Sequence, residues 1–203
     1  MENPVSNSIA IEKKGVVLTG TNMSGKSTFL RMIGINVLFA QTFYFTLSSK
    51  YEAPFLNIVT SISPKDDVTS GKSYYLAEVE AILRIINASD DKVKPLCIID
   101  EIFRGTNPIE RISSSMAILN YINKRDAITL VATHDKELTD SLKNSYDFYY
   151  FSEDVDYKKG LSFDYKIKQG VVKSRNAIKL LEYVGYPREI IEEAINLTER
   201  FGK

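Results

Sequence analysis

The stretch from Gly20 to Thr28 constrains the fold of this chain more than any other, because its glycines, lysine and serine follow the spacing G-x-x-x-x-G-K-[ST]. The apolar run Val16–Leu18 precedes it, and a helical pattern over Phe29–Gly34 follows it. A strand, a glycine loop and a helix in this order let backbone N–H groups converge on an anion at the helix N-terminus. The pattern therefore predicts a phosphate-binding loop, and its alternative is a glycine-rich turn with an incidental lysine.

The residue types in this loop fit the chemistry of a nucleoside triphosphate. Gly20 and Gly25 permit backbone torsions and close approaches that a β-carbon would block. Lys26 can reach the β- and γ-phosphates, Ser27 can ligate Mg²⁺, and Thr28 can bond a phosphate oxygen. The candidate nucleotide-binding residues are Gly20, Thr21, Asn22, Met23, Ser24, Gly25, Lys26, Ser27 and Thr28.

Composition predicts one soluble, intracellular globular unit. Of the 203 residues 44% are apolar, which is enough for a core. Lys plus Arg and Asp plus Glu both number 26, so no global positive field favours a polyanion. Cys97 lies in the apolar run Leu96–Ile99, which predicts a buried thiol in a reducing compartment. No secretory signal or membrane-length apolar window is visible, so we expect no membrane contact.

Strand-like runs alternate with helical patterns over the first two thirds, which predicts an α/β fold with a mainly parallel sheet flanked by helices. The predicted strands are Gly15–Thr19, Phe55–Ser61, Pro95–Ile99 and Ala127–Thr133. The predicted helices are Lys26–Gln41, Tyr75–Asn87, Glu110–Lys124, Lys136–Lys143, Asn176–Val184 and Pro187–Phe201.

Apolar and polar residues alternate from Leu161 to Lys168, which predicts a half-exposed antiparallel strand. We expect its partner to be Tyr146–Phe151, across a turn near Lys159–Gly160. The chain thus has late antiparallel strands after its parallel part, followed by a helical pair.

Two acids follow the apolar run Leu96–Ile99. Such a strand delivers Asp100 and Glu101 at the carboxyl edge of the sheet, where ligands of parallel sheets bind. We expect Asp100 to be the magnesium partner, through a water or through Ser27, and Glu101 to polarise an attacking water. The alternative is a strand that ends in solvated acids.

His134, the only histidine, directly follows the apolar strand ending at Thr133. At the same sheet edge as Asp100, its imidazole could bond a γ-phosphate or hold the attacking water. The alternative is a structural or surface histidine.

With these pieces in order, the chain resembles the ATPase domain of the MutS family of DNA mismatch-repair proteins, a branch of the ABC-type ATPases. Gly20–Thr28 resembles the family's T-G-x-N-M-x-G-K-S-T, and Asp100–Thr106 its D-E-x-x-R-G-T. Thr133–Leu138 resembles its T-H-x-x-E-L. The resemblance implies a P-loop fold that uses ATP and Mg²⁺ and hydrolyses ATP to ADP and phosphate.

A fourth match concerns Asp66–Ser73, which resembles the family's D-D-x-x-S-G-x-S before a helix that carries Glu78. The resemblance implies that Gly71 and Ser73 face the γ-phosphate bound by a second subunit. The alternative is a polar turn with Ser73 as the N-cap of the helix, and both can hold together.

The chain also departs from the mismatch-recognising members. Tyr74–Leu76 replaces their T-F-M, and Lys168–Asn176 lacks the S-Y-G that follows the glycine. These departures indicate a divergent MutS-like paralogue. The resemblance puts the adenine pocket near Pro4, Val5, Asn7 and Tyr165, although the alternation around Tyr165 fits a core-facing residue equally well.

The last predicted helix has an apolar stripe that includes Ile190, Ile191 and Ile195. Such a stripe usually packs on its own domain, but the resemblance implies that the terminal helical pair packs on a partner subunit with two-fold symmetry. We therefore expect an ATPase domain over residues 1–175 and a dimerisation element of the same domain over residues 176–203.

The sequence predicts the ATP-driven motor of a MutS-like DNA repair protein, in the bacterial cytoplasm or nucleoid. Its homodimer would control a DNA clamp located upstream, with mismatched or branched duplex held mainly by domains absent from this chain. One rival is a transport or chromosome-maintenance ABC ATPase, but no L-S-G-G-Q lies between Thr28 and Leu96. A non-hydrolysing, ATP-dependent dimerisation scaffold remains a second rival, and a small-molecule kinase lacks an apparent acceptor lid.

Overall fold

The computed structural model describes residues 4–62, 74–103, 107–135, 137–156, 160–171 and 177–201. The strands are β1 (Gly15–Thr19), β2 (Asn57–Ile62), β3 (Pro95–Asp100), β4 (Ile128–Ala132), β5 (Asp147–Tyr150), β6 (Glu153–Asp156), β7 (Gly160–Phe163) and β8 (Lys168–Gln169). The helices are α1 (Lys26–Phe43), α2 (Tyr74–Ala88), α3 (Pro108–Asn123), α4 (Glu137–Leu142), α5 (Ala177–Val184) and α6 (Arg188–Phe201).

Within the described ranges the main sheet has the strand order β2-β3-β4-β1-β5-β8. The pairs β2/β3, β3/β4, β4/β1 and β1/β5 are parallel, and β8 joins β5 antiparallel at the edge. Parallel neighbours end at the same edge of a sheet, so the segments that follow β1, β3 and β4 meet there. The fold is α/β with a mostly parallel sheet and helices, as predicted.

Helices cover both faces of the sheet. Val17 belongs to one buried cluster, which also holds residues of α2, α3 and α4, whereas Val16 and Leu18 belong to another that holds residues of α1. All three β1 residues are fully buried. Burial on both faces explains why β1 is a continuous apolar run, and it contributes about 1.5–3 kcal/mol for each side chain.

The prediction that Leu161–Lys168 pairs with Tyr146–Phe151 was wrong for most of the segment. β7 ends at Phe163 and pairs with β6 in a separate two-stranded sheet, while β5 lies in the main sheet beside β1. Tyr165 has a φ of 53°, and this left-handed residue interrupts the extended backbone. Only the end of the segment meets the expected partner, where Lys168 pairs with Tyr150.

The terminal helices α5 and α6 pack on each other, and α5 also contacts β6 and β7. At Gly160 of β7, an added β-carbon would lie 2.6 Å from the ring of Tyr183, so the backbone of the hairpin presses closely on α5. Among the residues that the structure describes, no helix is long and apolar enough to cross a membrane.

Candidate functional site

The loop between β1 and α1 depends on left-handed backbone conformations. Gly20 has a φ of 137°, and a β-carbon there would lie 2.6 Å from the carbonyl oxygen of Phe151. Gly25, with a φ of 112°, is the N-cap of α1 and makes no side-chain cap. Met23 also adopts a positive φ, of 65°. The loop therefore needs glycine at Gly20 and Gly25, because both adopt a positive φ and Gly20 also lies too close to Phe151 for a β-carbon.

Lys26 is buried at the start of α1, with 5% of its surface exposed. Its Nζ donates hydrogen bonds of 2.8 Å to the carbonyl oxygens of Gly20 and Thr21. The Ser24 hydroxyl donates to the Thr21 carbonyl at 2.8 Å, and the Thr21 hydroxyl donates to Oε2 of Glu153 at 2.6 Å. The lysine ammonium is thus held inside the loop, and the loop is tied to β6.

The acidic pair lies where β3 ends. Asp100 is its last residue and is 4% exposed, and Glu101 follows with a φ of 67°. The Glu101 N–H donates to the carbonyl of Ala132 in β4 at 3.0 Å. A non-glycine residue in this conformation costs about 1–2 kcal/mol, so the surrounding strands hold Glu101 in a strained position.

His134 approaches Glu101 from the end of β4. Its Nδ1 lies 3.2 Å from Oε1 of Glu101, and its Nε2 lies 3.9 Å from Oδ1 of Asp135. The Glu101 side chain is 15% exposed and that of His134 is 52% exposed. The imidazole therefore contacts the predicted base directly.

One cavity of about 800 Å³ brings the predicted site residues together. Its lining includes Pro4, Val5, Asn7, Asn22, Met23, Gly25, Lys26, Ser27, Thr28, Asp100, Glu101, His134 and Tyr165, together with Phe29, Met32 and Phe151. Gly20, Thr21 and Ser24 shape the loop behind this wall. Gly71 and Ser73, predicted to act on a second subunit's nucleotide, lie outside the described residues.

Tyr165 belongs to the cavity wall and not to the core, with 45% of its surface exposed. Its ring lies 5.7 Å from that of Phe163 in a stacked arrangement, and Gly25 lies close enough that a β-carbon there would be 3.5 Å from the tyrosine ring. A planar side chain beside the loop is a suitable surface for stacking a base.

Sequence reasoning missed an ion pair behind His134. Arg111 of α3 donates from Nε to Oδ2 of Asp135 at 3.0 Å and from Nη2 to Oδ1 at 2.6 Å. The hydrogen bond with Asp135 raises the pKa of the Arg111 guanidinium. The sequence shows Asp135 directly after His134, but no motif or spacing indicates that Arg111 is its partner.

The proposed assembly surface is largely exposed in the single chain. Ile191 is the one residue of α6 that is buried, and α5 has none among its described residues. Ile190, Ile195 and Phe201 are 46%, 43% and 82% exposed. The stripe on α6 therefore leaves several partly exposed apolar side chains available for contact with another molecule.

Comparison with known proteins relates this site to a family. The family model for MutS domain V matches residues 16–202, which include all of β1 except Gly15, the glycine loop, the acidic pair and His134. This chain belongs to the MutS domain V family. The match confirms the family that the three motifs predicted.

Curated relatives of this MutS domain V chain are DNA mismatch repair proteins MutS. The protein from Petrotoga mobilis is 36% identical over 193 residues, which cover 90% of this chain and 22% of the relative. Those from Thermotoga maritima and Thermus thermophilus are 34% and 31% identical, covering 98% and 94% of this chain. The chain spans 25% and 23% of those two relatives, so it corresponds to about a quarter of each.

Proposed function

We propose that this chain binds and hydrolyses ATP, as the motor unit of a MutS-like DNA repair protein with an ABC-type P-loop fold. The observation that carries the proposal is the single cavity that contains Lys26 of the glycine loop and the Glu101–His134 contact. A cation that lines the same cavity as a carboxylate–imidazole pair suits phosphate binding together with activation of a water.

The donor set of the cavity fits Mg²⁺. The Ser27 hydroxyl and the Asp100 carboxylate both line it, and Mg²⁺ prefers such oxygens. Among the residues that the structure describes, no cluster of three His, Cys, Asp or Glu side chains could hold a metal by itself. Mg²⁺ is commonly bound by one or two protein oxygens together with phosphate and water, so two ligands suffice. The ion would neutralise charge on the phosphate oxygens.

The protein's own residues would perform the following steps. Backbone N–H groups of the loop and the Lys26 ammonium bind the β- and γ-phosphates. Glu101 accepts a proton from a water while the oxygen of that water bonds the γ-phosphorus. The bond between the γ-phosphorus and the β–γ bridging oxygen breaks, which leaves ADP and phosphate. His134 holds the water or a γ-phosphate oxygen beside Glu101.

Val5, Asn7 and Tyr165 would form the adenine end of the site. The ring of Tyr165 would stack on the adenine, and the Asn7 side chain is hydrogen-bonded to the backbone of Tyr165 and Ile167. Support for this assignment comes from their position in the same cavity as Lys26.

We further propose a homodimer in which Ser73 of each subunit completes the nucleotide site of the other. Residues 1–175 would be the ATPase domain, and residues 176–203 would contribute the second contact between subunits. The exposed apolar residues of α6 support this arrangement, because a two-fold interface would bury the same stripe twice. Mismatched or branched DNA would be held by other parts of the parent protein, since this chain has no net positive charge.

The decisive experiment measures ATP binding and phosphate release for the wild type, Glu101→Gln and Lys26→Ala. Glu101→Gln should retain binding and slow turnover by about a hundredfold or more, because a general base is lost. Lys26→Ala should weaken binding itself. Glu52→Gln and Lys50→Ala are matched controls at exposed positions.

Binding without phosphate release in the wild type would support the scaffold rival. Wild-type turnover by Glu101→Gln would show that another group is the base.

A further inference from the structure

The Arg111–Asp135 ion pair is largely buried, although neither residue lines the cavity. The two side chains are 15% and 8% exposed, and the guanidinium occupies both carboxylate oxygens of Asp135. A bidentate pair of this kind fixes geometry more firmly than a single hydrogen bond does.

The pair connects the two chain segments that carry the Glu101–His134 contact. Arg111 lies in α3, the first helix after Glu101, and Asp135 directly follows His134. The Asp135 N–H also donates to Oγ1 of Thr133 at 3.0 Å, and the Thr133 N–H donates to the carbonyl of Leu18 in β1 at 2.9 Å. Asp135 is therefore held through both its backbone and its side chain.

The imidazole of His134 lies between two carboxylates. Its Nδ1 is within hydrogen-bond distance of Glu101, whereas its Nε2 is 3.9 Å from Oδ1 of Asp135, which is too long for a hydrogen bond. A shift of less than one bond length would let Asp135 bond the ring. Its oxygens are instead engaged by Nε and Nη2 of Arg111.

We propose that Arg111 is a positioning residue that, by binding both oxygens of Asp135, prevents this carboxylate from competing with Glu101 for the imidazole of His134. Its importance for catalysis rests on the proposed ATP hydrolysis, but the arrangement itself does not. Without Arg111, the buried Asp135 carboxylate would lose its cation, and among the described residues the ring of His134, with Nε2 already 3.9 Å from Oδ1, could take its place.

The test uses the fact that His134 is the only histidine of the chain. Its ring gives one set of ¹⁵N and ¹H resonances in the ligand-free protein, once any histidine tag has been removed. Arg111→Met should shift these resonances in the same direction as Glu101→Ala, which removes the Glu101 contact altogether.

A double variant makes the test specific. Arg111→Met/Asp135→Asn lacks both the guanidinium and the competing carboxylate, so its ring resonances should return toward those of the wild type. A merely structural role for the pair predicts no such rescue, because the double variant restores neither the charge pair nor its packing. Arg111→Lys, which keeps one charged donor, should give an intermediate shift.

Arg125→Met is the matched control. Arg125 pairs with Asp90 at 3.1 Å and lies just after α3, before the start of β4 and thus away from the carboxyl edge. Its loss should leave the His134 resonances unchanged.

Turnover adds a second readout. Arg111→Met should lower kcat about tenfold or more and change KM by about twofold at most, because the loss concerns the water-activating pair and not the phosphate loop. Unchanged ring resonances in a folded Arg111→Met or Arg111→Lys protein would overturn the proposal, as would a shift in Arg111→Met that the double variant does not reverse. Shifted and rescued resonances without hydrolysis in the wild type would refute the proposed function alone.

Discussion

Asn7 donates a 2.9 Å hydrogen bond from its side-chain Nδ2 to the backbone carbonyl of Tyr165. Its Oδ1 accepts a second bond of 2.9 Å from the N–H of Ile167. One amide thus spans the residue between them and fixes the left-handed conformation of Tyr165. Asn7→Ala should therefore weaken ATP binding by up to about thirtyfold, since two hydrogen bonds of about 1 kcal/mol each no longer hold Tyr165 in place.

A titration with a fluorescent ATP analogue measures this effect. Asn57→Ala, which removes a side-chain hydrogen bond from β2 to Asp91, is the control. An unchanged affinity in Asn7→Ala would show that Tyr165 keeps its position without the clamp.

The ring of Tyr165 should contribute to ATP affinity only by stacking on the adenine base. Tyr165→Ala is expected to weaken ATP binding about tenfold, because stacking on a base contributes about 1–3 kcal/mol. Tyr165→Phe retains the stacking surface and should bind nearly as the wild type does. Inorganic pyrophosphate has no base, so its competition constant should be the same in all three proteins. An equal loss of pyrophosphate affinity in Tyr165→Ala would contradict the stacking role.

Replacement of Gly20 should destabilise the fold in addition to affecting the loop. Gly20→Ala would place a β-carbon 2.6 Å from the Phe151 carbonyl oxygen at a φ of 137°. We expect the free energy of unfolding to fall by about 3 kcal/mol, from strain and overpacking together. Gly170→Ala is the control, because its φ is 106° but nothing lies within 4 Å of the added carbon. Urea unfolding should give a loss of about 1 kcal/mol there, and equal losses at both sites would refute the steric explanation.

Alkaline pH should destabilise the protein through Cys97. Burial raises the pKa of its thiol to about 12, from an ordinary value of 9.0. The unfolded chain therefore releases this proton at a lower pH than the folded chain does. The resulting stability is complete below about pH 9 and is lost as the pH rises toward 12, by about 1 kcal/mol at pH 10.

Urea unfolding of the wild type and of Cys97→Ala from pH 7 to pH 10 measures this loss. The variant is less stable throughout, because it leaves a cavity, but its decline above pH 9 should be shallower. Parallel declines would exclude the thiol as the cause. Burial also raises the pKa of Tyr146 to about 12, from 10.0, so its contribution begins at higher pH.

Self-association should depend on the apolar residues of α6. Ile195→Glu is expected to prevent dimer formation in the presence of ATP, because it would bury an unpaired charge in the interface. Glu193→Ala, on the polar side of the helix, should associate as the wild type does. Sedimentation equilibrium together with hydrolysis at increasing protein concentration tests this expectation. A monomeric wild type whose specific activity is independent of concentration would disprove the need for a second subunit.

Elements with strong local patterns were predictable from sequence. β1 was predicted with its observed bounds, and β3 and α1 within two residues, because each is a continuous apolar or helical run next to glycine or an acid. The meeting of Lys26, Asp100, Glu101 and His134 in one cavity also follows from sequence, since parallel strands end at one edge.

Long-range pairing was not predictable in the same way. The alternation at Leu161–Lys168 indicates a strand but cannot reveal that Asn7, far away in sequence, holds Tyr165 in a left-handed conformation. Likewise, a charge at Arg111 looks like part of a solvated helix face until its distance to Asp135 is known. No local pattern encodes either contact, because tertiary structure alone creates both.

β1 is hydrogen-bonded to a parallel strand on each side, and the carbonyls of Leu18 and Thr19 accept from the N–H groups of Thr133 and Phe151 just before the glycine loop begins. The amides of β1 should therefore exchange with deuterium only when the whole domain unfolds. Unfolding would therefore abolish the loop as a binding site. A ligand of the loop should raise the free energy of unfolding by RT ln(1 + [L]/Kd), so the melting temperature of the domain should rise with ligand concentration.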